Sequence, residues 1–408
     1  MGGEVTIERT LTNGDQRDSG RLSVLDSIRS AGEIARIDIA DATGFSPATV
    51  TAITSELLNA GLIEEIIPEN KQSQSRRGRP RVSLKLAGKA HLIAGVKIGH
   101  KVISVLILDF EGEEVVSQEF PIANPKMEPE DLVTVMLNAV SETCESGGFD
   151  IHNLSGIGLS MAGLIHATDS FVHWSSSLTE RNVDMGALMR QASPCPVFID
   201  NDANLMAKAE NLFGVARNIE NFIVITIEHG VGMGIFINGN IYRGTRGCGA
   251  ELGHTKVQLE GALCQCGQRG CLEAYVGDYA ILREAHSVLG KEVHDDVGSL
   301  YDAANSGDHV AVSVLDRAAK MLALGLANVV NIFDPDLIIL AGAQMSYRHL
   351  YEDKIIDAAK QQVVQIDAEM PPIRVHAWGD LMWAKGAAAY AIDQVSALKV
   401  REMARNGG

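Results

Sequence analysis

Four side chains with nitrogen or sulfur donors lie within 18 residues of one another in the second half of the chain. They are His254, Cys264, Cys266 and Cys271, at the spacing H-x9-C-x-C-x4-C. Zn²⁺ in proteins prefers four such donors in a tetrahedron, and four protein ligands leave no coordination position open for water. The pattern therefore predicts a structural zinc ion that fixes a loop.

Two carboxylates, Glu251 and Glu273, bracket these four donors. Carboxylates accept hydrogen bonds from several hydroxyl groups at once, which suits a polyol ligand. A metal that fixes the loop would also fix the two acids, so we expect them to belong to one ligand site. The alternative is a group of cysteines that form disulfides, or that are merely buried thiols.

A second cluster of polar residues, Asp200-Asn201-Asp202, follows the short apolar run that starts at Val197. The pattern predicts a strand that leads directly into a helix. Polar groups at the carboxyl end of a strand lie where open α/β sheets bind their ligands. Asp202 is therefore a candidate ligand-binding residue; the alternative is that it only caps the helix that starts near Ala203.

The segment around the predicted zinc site resembles the signature of the ROK family, which groups bacterial repressors, open reading frames and sugar kinases. The family pattern is G-A-E-x-G-H followed by C-x-C-G-x-x-G-C-x-E, and residues 249–254 and 264–273 match it at every defined position. The resemblance covers the chain from about residue 20 to residue 395. Within the family, the chain is similar to the repressors that respond to glucose, N-acetylglucosamine or xylose. It implies an α/β body of the actin-like ATPase (sugar-kinase) fold with two lobes.

The resemblance also implies roles for individual residues. In ROK kinases, the aspartate that corresponds to Asp202 is the general base that acts on a sugar hydroxyl. A sugar or sugar phosphate is the ligand that this implies. The positions that carry over as sugar-binding are Gly163, Asn201, Asp202, Glu251, His254 and Glu273.

The two glycine-rich loops that bind ATP in ROK kinases are altered in this chain. The first, Asp-x-Gly-Gly-Thr in the family, corresponds to Lys97-Ile-Gly-His-Lys101, with a cation in place of the acid that helps to organise Mg²⁺. The second, Gly-Thr-Gly-x-Gly-Gly-Gly, corresponds to Glu228-His-Gly-Val-Gly-Met-Gly234. Phosphoryl transfer depends on positioning and on neutralising phosphate charge, which an anion at Glu228 opposes. We therefore expect a degenerate kinase that is a receptor and not an enzyme.

A helical module precedes this body. Apolar positions predict one helix from Arg21 to near Gly32, a second at 37–43, and a third that begins at Ser46-Pro47. The outer face of the third helix is small and polar, as a major-groove reader requires, because bulky side chains would hold the helix off the base edges. The predicted DNA contacts on this helix are Ser46, Ala48, Thr49, Thr51 and Ala52.

An arginine-rich segment follows a strand predicted at 64–67. An extended cationic segment suits the minor groove, whose negative potential attracts arginine. Together with the helices it resembles a winged helix-turn-helix, with the wing common among ROK repressors; the alternative is a helical hairpin followed by a solvated basic linker. The predicted DNA contacts of the wing are Arg76, Arg77, Arg79 and Arg81.

Length and charge set the domain plan. A chain of 408 residues is too long for one core. The net charge of −17 conceals a basic stretch at 71–89, which has seven Lys or Arg and no acid, so we expect a basic module on an acidic body. The predicted parts are a flexible arm at 1–20, a winged helix-turn-helix at 21–85, a smaller lobe at 86–196 and 383–408, and a larger lobe with the zinc loop at 197–382.

The chain contains no run of 18 uninterrupted apolar residues, and its N-terminus has no apolar signal core. These absences predict a cytoplasmic protein that has no membrane partner. In that reducing compartment, cysteines favour metal over disulfides.

The sequence as a whole favours a transcriptional repressor that binds operator DNA and uses its kinase-derived body as a sugar sensor. Two-fold symmetric operators imply a homodimer or homotetramer. One alternative is an active sugar kinase with an attached DNA-binding module. Another is a repressor controlled by docking of a phosphotransferase-system protein. The effector sugar, the operator and the regulated genes stay open.

Overall fold

A computed structural model gives the fold of the chain. It describes residues 13–66, 82–289, 294, 296–342, 344–345, 352–364, 369–376 and 381–406. Within these ranges, no helix is long and apolar enough to span a bilayer.

The N-terminal module packs helices against a small antiparallel sheet. Its elements are α1 (Asn13–Ala31), β1 (Ile34–Ala35), α2 (Arg36–Thr43), α3 (Pro47–Asn59), β2 (Ile63–Ile66) and β3 (Ser83–Leu86). The strand order is β1-β3-β2. Between α2 and α3 the chain turns at Gly44, whose φ of 72° is in the left-handed region that glycine adopts without strain. This arrangement confirms the predicted winged helix-turn-helix.

Helix α3 begins as its sequence predicts. The Ser46 hydroxyl accepts a hydrogen bond of 3.2 Å from the Thr49 amide, and Pro47 occupies the first helical position. Its apolar residues Val50, Ile53 and Leu57 are buried, as expected from their spacing. Burial of one face leaves the small polar face of α3 to solvent.

Strands β2 and β3 pair antiparallel, with Ile63 opposite Leu86 and Ile66 opposite Ser83. The first wing strand is one residue earlier than the predicted span. Arg76, Arg77, Arg79 and Arg81 belong to the segment that joins the two strands, outside the described residues.

The predicted flexible arm is wrong for residues 13–20, because α1 begins at Asn13. Arg17 and Arg21 on this helix both donate to the Glu56 carboxylate on α3, Arg21 through its Nε at 2.8 Å. The part of the predicted arm from residue 13 to residue 20 is therefore polar but helical, and its Arg17 binds an acid on a neighbouring helix.

The first lobe is built on two sheets. Its elements are β4 (Leu92–Ile98), β5 (Val102–Asp109), β6 (Glu114–Pro121), α4 (Pro129–Ser146), β7 (Leu154–Met161), β8 (Gly163–His166), β9 (Phe171–Ser175), β10 (Val183–Asp184), α5 (Met185–Ala192) and β11 (Val197–Asn201). The main sheet has five strands in the order β11-β7-β4-β5-β6, and a small sheet has the order β10-β9-β8. A turn at residues 99–101 joins β4 to β5, where the Gly99 amide donates to the Val102 carbonyl at 2.9 Å.

The described residues after β11 contain the second lobe and the last helix of the chain. Their elements are α6 (Asp202–Leu212), β12 (Phe222–Ile227), β13 (Val231–Ile237), β14 (Asn240–Ile241), α7 (Glu273–Val276), α8 (Asp278–Leu289), α9 (Val297–Asn305), α10 (His309–Phe333), β15 (Leu337–Ala341), α11 (Glu352–Lys360), β16 (Ile373–Val375) and α12 (Leu381–Asn406). The second lobe is built on a five-stranded sheet of order β14-β13-β12-β15-β16.

The lobe boundary predicted at residue 197 is wrong by one strand. Strand β11 pairs in parallel with β7, Val197 opposite Ile157, and so belongs to the first sheet. The apolar run at Val197 signals a buried strand but does not specify its sheet, because pairing is long-range. Helix α6 then leaves this sheet and packs on β13 of the second one.

The expectation that the C-terminal segment returns to the first lobe agrees with the packing of α12 on β4 and β7. A Cβ added at Gly95 or Gly158 would lie 1.9 Å from a carbonyl oxygen of α12, that of Ala384 or Ala387. Glycine at these two positions therefore lets the helix approach the strands closely.

Candidate functional site

The four predicted metal donors come together on one loop. Each of the four residues offers one ligand atom, and these atoms all lie within 4.8 Å of one another; the residues are His254, Cys264, Cys266 and Cys271. The Cys266 and Cys271 sulfurs are 3.7 Å apart, and the Cys264 sulfur is 3.7 Å from His254 Nδ1. Three thiol sulfurs and one imidazole nitrogen are a donor set that fits a tetrahedral metal without an open position.

Local backbone geometry explains why this loop closes on itself. Gly267 and Gly270 have φ values of 87° and 80°, which place both in the left-handed region. A Cβ at Gly270 would lie 1.8 Å from the Gln258 carbonyl oxygen. An isolated antiparallel bridge pairs Lys256 with Cys271, so the two arms of the loop are held side by side.

His254 links the metal cluster, defined as His254, Cys264, Cys266 and Cys271, to the predicted sugar residues. Its Nδ1 faces the Cys264 sulfur, and its Nε2 lies 4.0 Å from a carboxylate oxygen of Glu251. One ring nitrogen is thus turned to the cluster and the other to the acid. A metal held on Nδ1 would fix the ring and leave Nε2 available to a ligand hydroxyl.

The strand-to-helix corner at β11 and α6 forms a second part of the site. Asn201 Nδ2 donates to the Gly163 carbonyl at 2.8 Å, and Asn201 Oδ1 accepts from the Ala203 amide at 2.9 Å. Asn201 is therefore the N-cap of α6, a role that the sequence interpretation gave to its neighbour. Asp202 also accepts from the Ala203 amide at 2.9 Å, so it takes part in the cap as well.

Charges in the site are close enough to influence one another. The pKa of Glu251 is raised to about 7, chiefly by burial. The His254 ring opposes this rise, and the Asp202 and Glu273 carboxylates add to it. Burial also raises the pKa of Asp202, and the Lys97 ammonium offsets part of that rise. The predicted sugar-binding acids thus form one electrostatic group.

Glu273 is held by groups that the sequence interpretation did not include. Its carboxylate accepts from the Val231 amide at 3.3 Å, the Tyr279 hydroxyl at 3.2 Å and the Cys264 thiol at 3.4 Å. Glu273 therefore contacts both the metal cluster and the second glycine-rich segment.

A buried ion pair beside the site also escaped the sequence interpretation. Asp200 is fully buried and accepts from Arg243 at 2.6 and 2.8 Å, and from Asn204 Nδ2 at 3.1 Å. The Arg243 guanidinium lies over the Tyr390 ring at 5.5 Å. The pair holds the segment around Arg243, which precedes Glu251 in the chain, against strand β11. An acid inside an apolar strand was the only sequence signal for it.

The residues that replace the two phosphate-binding loops contact each other. The Lys97 ammonium lies 3.1 and 3.3 Å from the carboxylate oxygens of Glu228. The rings of His100 and His229 stack with centroids 5.3 Å apart and planes 5° apart.

The predicted recognition face of α3 is open to solvent. Ser46, Ala48, Thr49, Thr51 and Ala52 are all exposed. Three hydroxyls on this face are bonded within the helix start: Thr51 Oγ1 donates to the Pro47 carbonyl at 2.8 Å, and the Thr49 and Ser46 hydroxyls are 2.8 Å apart. The face is therefore shallow as well as polar.

A winged helix-turn-helix in front of a two-lobed, kinase-like body defines a DNA-binding transcriptional regulator. The chain belongs to the ROK family, which it matches over residues 93–394, and residues 21–64 match a winged helix-turn-helix DNA-binding domain. The expected fold class is thereby confirmed.

Two relatives illustrate the relationship. The xylose repressor of Bacillus spizizenii is 31% identical over 319 residues, which cover 78% of this chain and 80% of that protein. The DNA-binding transcriptional dual regulator NagC of Escherichia coli is 27% identical over 348 residues, 81% of this chain and 84% of the relative.

Solved structures agree with both halves of this description. A ROK family transcriptional regulator, a homolog of the E. coli MLC protein, superposes with a TM-score of 0.80 at 25% identity, over 95% of this chain and 99% of the other. A ROK family glucokinase from Streptomyces griseus, solved with glucose and AMPPNP, has a TM-score of 0.64 at 28% identity, over 74% of this chain and 99% of the kinase.

Proposed function

We propose that this regulator binds operator DNA through α3 and the wing, and that a sugar bound in its body changes the affinity for that DNA. The observation that carries the proposal is a shared apolar core. Leu25 and Ile28 of α1 pack in one cluster with Ala388, Ala391 and Ile392 of α12. Because the DNA-binding module and the body share this core, movement in the body is transmitted to α1.

On the DNA side, the proposed contacts are of two kinds. Ser46, at the N-cap, and Ala48, Thr49, Thr51 and Ala52 form the shallow exposed face of α3, which can enter a major groove. Arg76, Arg77, Arg79 and Arg81 of the wing would supply phosphate and minor-groove contacts. A homodimer or homotetramer in the cytoplasm would present two such modules to a symmetric operator.

The proposed effector is a sugar held by Gly163, Asn201, Asp202, Glu251, His254 and Glu273. The names of the relatives include xylose and N-acetylglucosamine repressors, which supports a sugar as the class of effector. Carboxylates, an amide and an imidazole nitrogen near one another supply hydrogen-bond acceptors and donors for several hydroxyl groups.

The metal cluster is proposed to hold Zn²⁺ through His254 Nδ1 and the three cysteine sulfurs. When bound, Zn²⁺ supplies a tetrahedral cross-link without catalytic chemistry. The protein residues then do the positioning: His254 presents Nε2 toward Glu251, and Cys264 abuts Glu273. Loss of the cross-link would therefore loosen two sugar-binding acids.

The body is proposed to bind its sugar without phosphorylating it. Lys97 and Glu228 stand at the positions of the two kinase phosphate loops and pair with each other at 3.1 Å. A kinase must neutralise phosphate charge there, and an ion pair between the loops has no net charge to contribute. Asp202 keeps the position of the catalytic base that would take the proton of a sugar hydroxyl. Without a nucleotide held by the two loops, the sugar oxygen has no phosphoryl group to attack.

A test is a thermal-shift screen of the zinc-loaded protein against free sugars and sugar 6-phosphates, repeated with Mg-ATP while ADP is measured. A shift with one sugar and no ADP above background is the expected result. ADP release that depends on that sugar would make the protein a kinase instead. Failure of every sugar to shift the protein would favour control by a phosphotransferase-system protein.

A further inference from the structure

The contact between Lys97 and Glu228 crosses the cleft between the two lobes. Lys97 lies on β4 of the first sheet, and Glu228 follows β12 of the second. The stacked rings of His100 and His229 join the same two loops beside this ion pair. Segments that would hold a polyphosphate between them in a kinase are therefore bound to each other.

The position of each partner is fixed by its surroundings. The Lys97 ammonium lies 3.9 Å from the centroid of the buried Trp383 ring, and its side chain is only 13% exposed. The Glu228 backbone is held on both sides, since its amide donates to the Gly230 carbonyl at 3.0 Å and its carbonyl accepts from the Asp278 amide at 3.0 Å. The pair is thus a built feature of the fold.

The Lys97–Glu228 pair also lies near the proposed ligand site, because the turn that carries Glu228 contacts Glu273: the Val231 amide donates to the Glu273 carboxylate at 3.3 Å. The Lys97 ammonium also opposes the rise that burial causes in the pKa of Asp202. The Lys97 ammonium could bind an anionic group of a ligand at this end of the site, but the Glu228 carboxylate neutralises its charge. An anionic group brought here by a ligand would meet Glu228 and Asp202, two carboxylates, before it could reach an unpaired cation.

We propose that Glu228 occupies the place of a phosphate on Lys97, so that the site accepts a sugar without an anionic group and rejects the phosphate ester of the same sugar. This inference rests on the proposed sugar site and names its ligand class. The Lys97–Glu228 pair would thus exclude nucleotide and phosphosugar by the same means, which is neutralisation of the Lys97 ammonium by the Glu228 carboxylate.

The test is calorimetric titration of the zinc-loaded full chain with glucose, N-acetylglucosamine and xylose, with glucose 6-phosphate and N-acetylglucosamine 6-phosphate, and with inorganic pyrophosphate. The variants are Glu228→Gln, which removes the charge at constant size, and Glu228→Gln with Lys97→Gln, which also removes the cation. Glu220→Gln, an exposed acid outside the site, is the matched control for the change in net charge.

The wild type is expected to bind a free sugar at least about tenfold more tightly than a 6-phosphate, and not to bind pyrophosphate. Glu228→Gln should tighten 6-phosphate or pyrophosphate binding about tenfold, whereas the double variant and Glu220→Gln should not. A wild type that prefers the phosphate ester, or a Glu228→Gln variant with no gain, overturns the inference. A gain of pyrophosphate binding in a protein that binds no sugar supports the ion-pair role and counts against the proposed function alone.

Discussion

The guanidinium of Arg29 on α1 lies 3.7 Å from the carboxylate of Asp393 on α12, which ties the first helix of the DNA-binding module to the last helix of the chain. Arg29 also donates to the Ser396 hydroxyl at 3.1 Å. The other oxygen of Asp393 is 2.5 Å from Lys208 on α6. Because α6 begins at Asp202, a continuous set of contacts joins the proposed sugar-binding corner to the DNA-binding module.

The first prediction concerns this set of contacts. Asp393→Asn should weaken the effect of sugar on DNA affinity by about 0.5–2 kcal/mol, which shifts the half-effective sugar concentration about two- to thirtyfold. Titration of a protein–DNA complex with sugar measures the shift. Glu402→Gln, on the exposed side of the same helix, is the control. An equal shift in both variants would assign the effect to general charge and not to the contact.

The second prediction concerns the exposed face of α3. Ala48→Glu places a bulky anion on the face proposed to enter the major groove, where it would hold the helix off the base edges and be repelled by the charge of the DNA, so operator affinity should fall at least about tenfold. An acid in the first turn of a helix interacts favourably with its dipole, so stability should not fall. Fluorescence anisotropy and thermal unfolding measure the two quantities. Ser287→Glu on α8 makes the same charge change on the body, and if it reduced affinity as much, α3 would have no specific role.

Local and long-range features differ in how far the sequence predicts them. The metal cluster and the start of α3 at Ser46 were predicted because the residues that form each of them lie within 18 positions of one another in the chain. The Lys97–Glu228 and Asp200–Arg243 pairs join residues that are distant in the chain. The altered phosphate loops single out Lys97 and Glu228, but spacing along the chain does not show that the two side chains contact each other. The placement of β11 failed for the same reason, since strand pairing depends on the whole sheet.

The third prediction concerns the metal cluster. Cys266 is the exposed member, so Cys266→Ser removes a ligand with little change in packing. Zinc content should fall from about one ion per chain to near none, with a lower melting temperature and a loss of sugar response. Elemental analysis and calorimetry measure these, with Cys195→Ser as a control outside the cluster. Full zinc content in Cys266→Ser would remove that cysteine from the ligand set.

The fourth prediction concerns pH and the N-terminal module. Partial burial would raise the pKa of Glu56, but hydrogen bonds from Arg17 and Arg21 outweigh it and hold that pKa below the ordinary 4.5. The stabilisation is therefore complete above 4.5 and is lost as pH falls through the lowered value. Glu56→Gln should destabilise α1 and α3 by about 1 kcal/mol near neutral pH, and by less near pH 4.

Hydrogen exchange of the α3 amides in the full chain measures this difference. Glu65→Gln is a useful comparison, because Glu65 is more exposed and, among the residues that the structure describes, its carboxylate pairs with Arg36. A Glu56→Gln penalty that is the same at both pH values would show that the charge of Glu56 does not supply the stabilisation.

The most direct measurement is the affinity of the zinc-loaded protein for a duplex selected from a random-sequence library, determined with and without a saturating free sugar that stabilises the protein. A sugar-responsive regulator should bind the selected duplex with a dissociation constant that changes at least about fivefold when the sugar is present, with no ADP formed from Mg-ATP. An affinity that the sugar leaves unchanged, or sugar-dependent formation of ADP, would contradict a body that acts as a sensor.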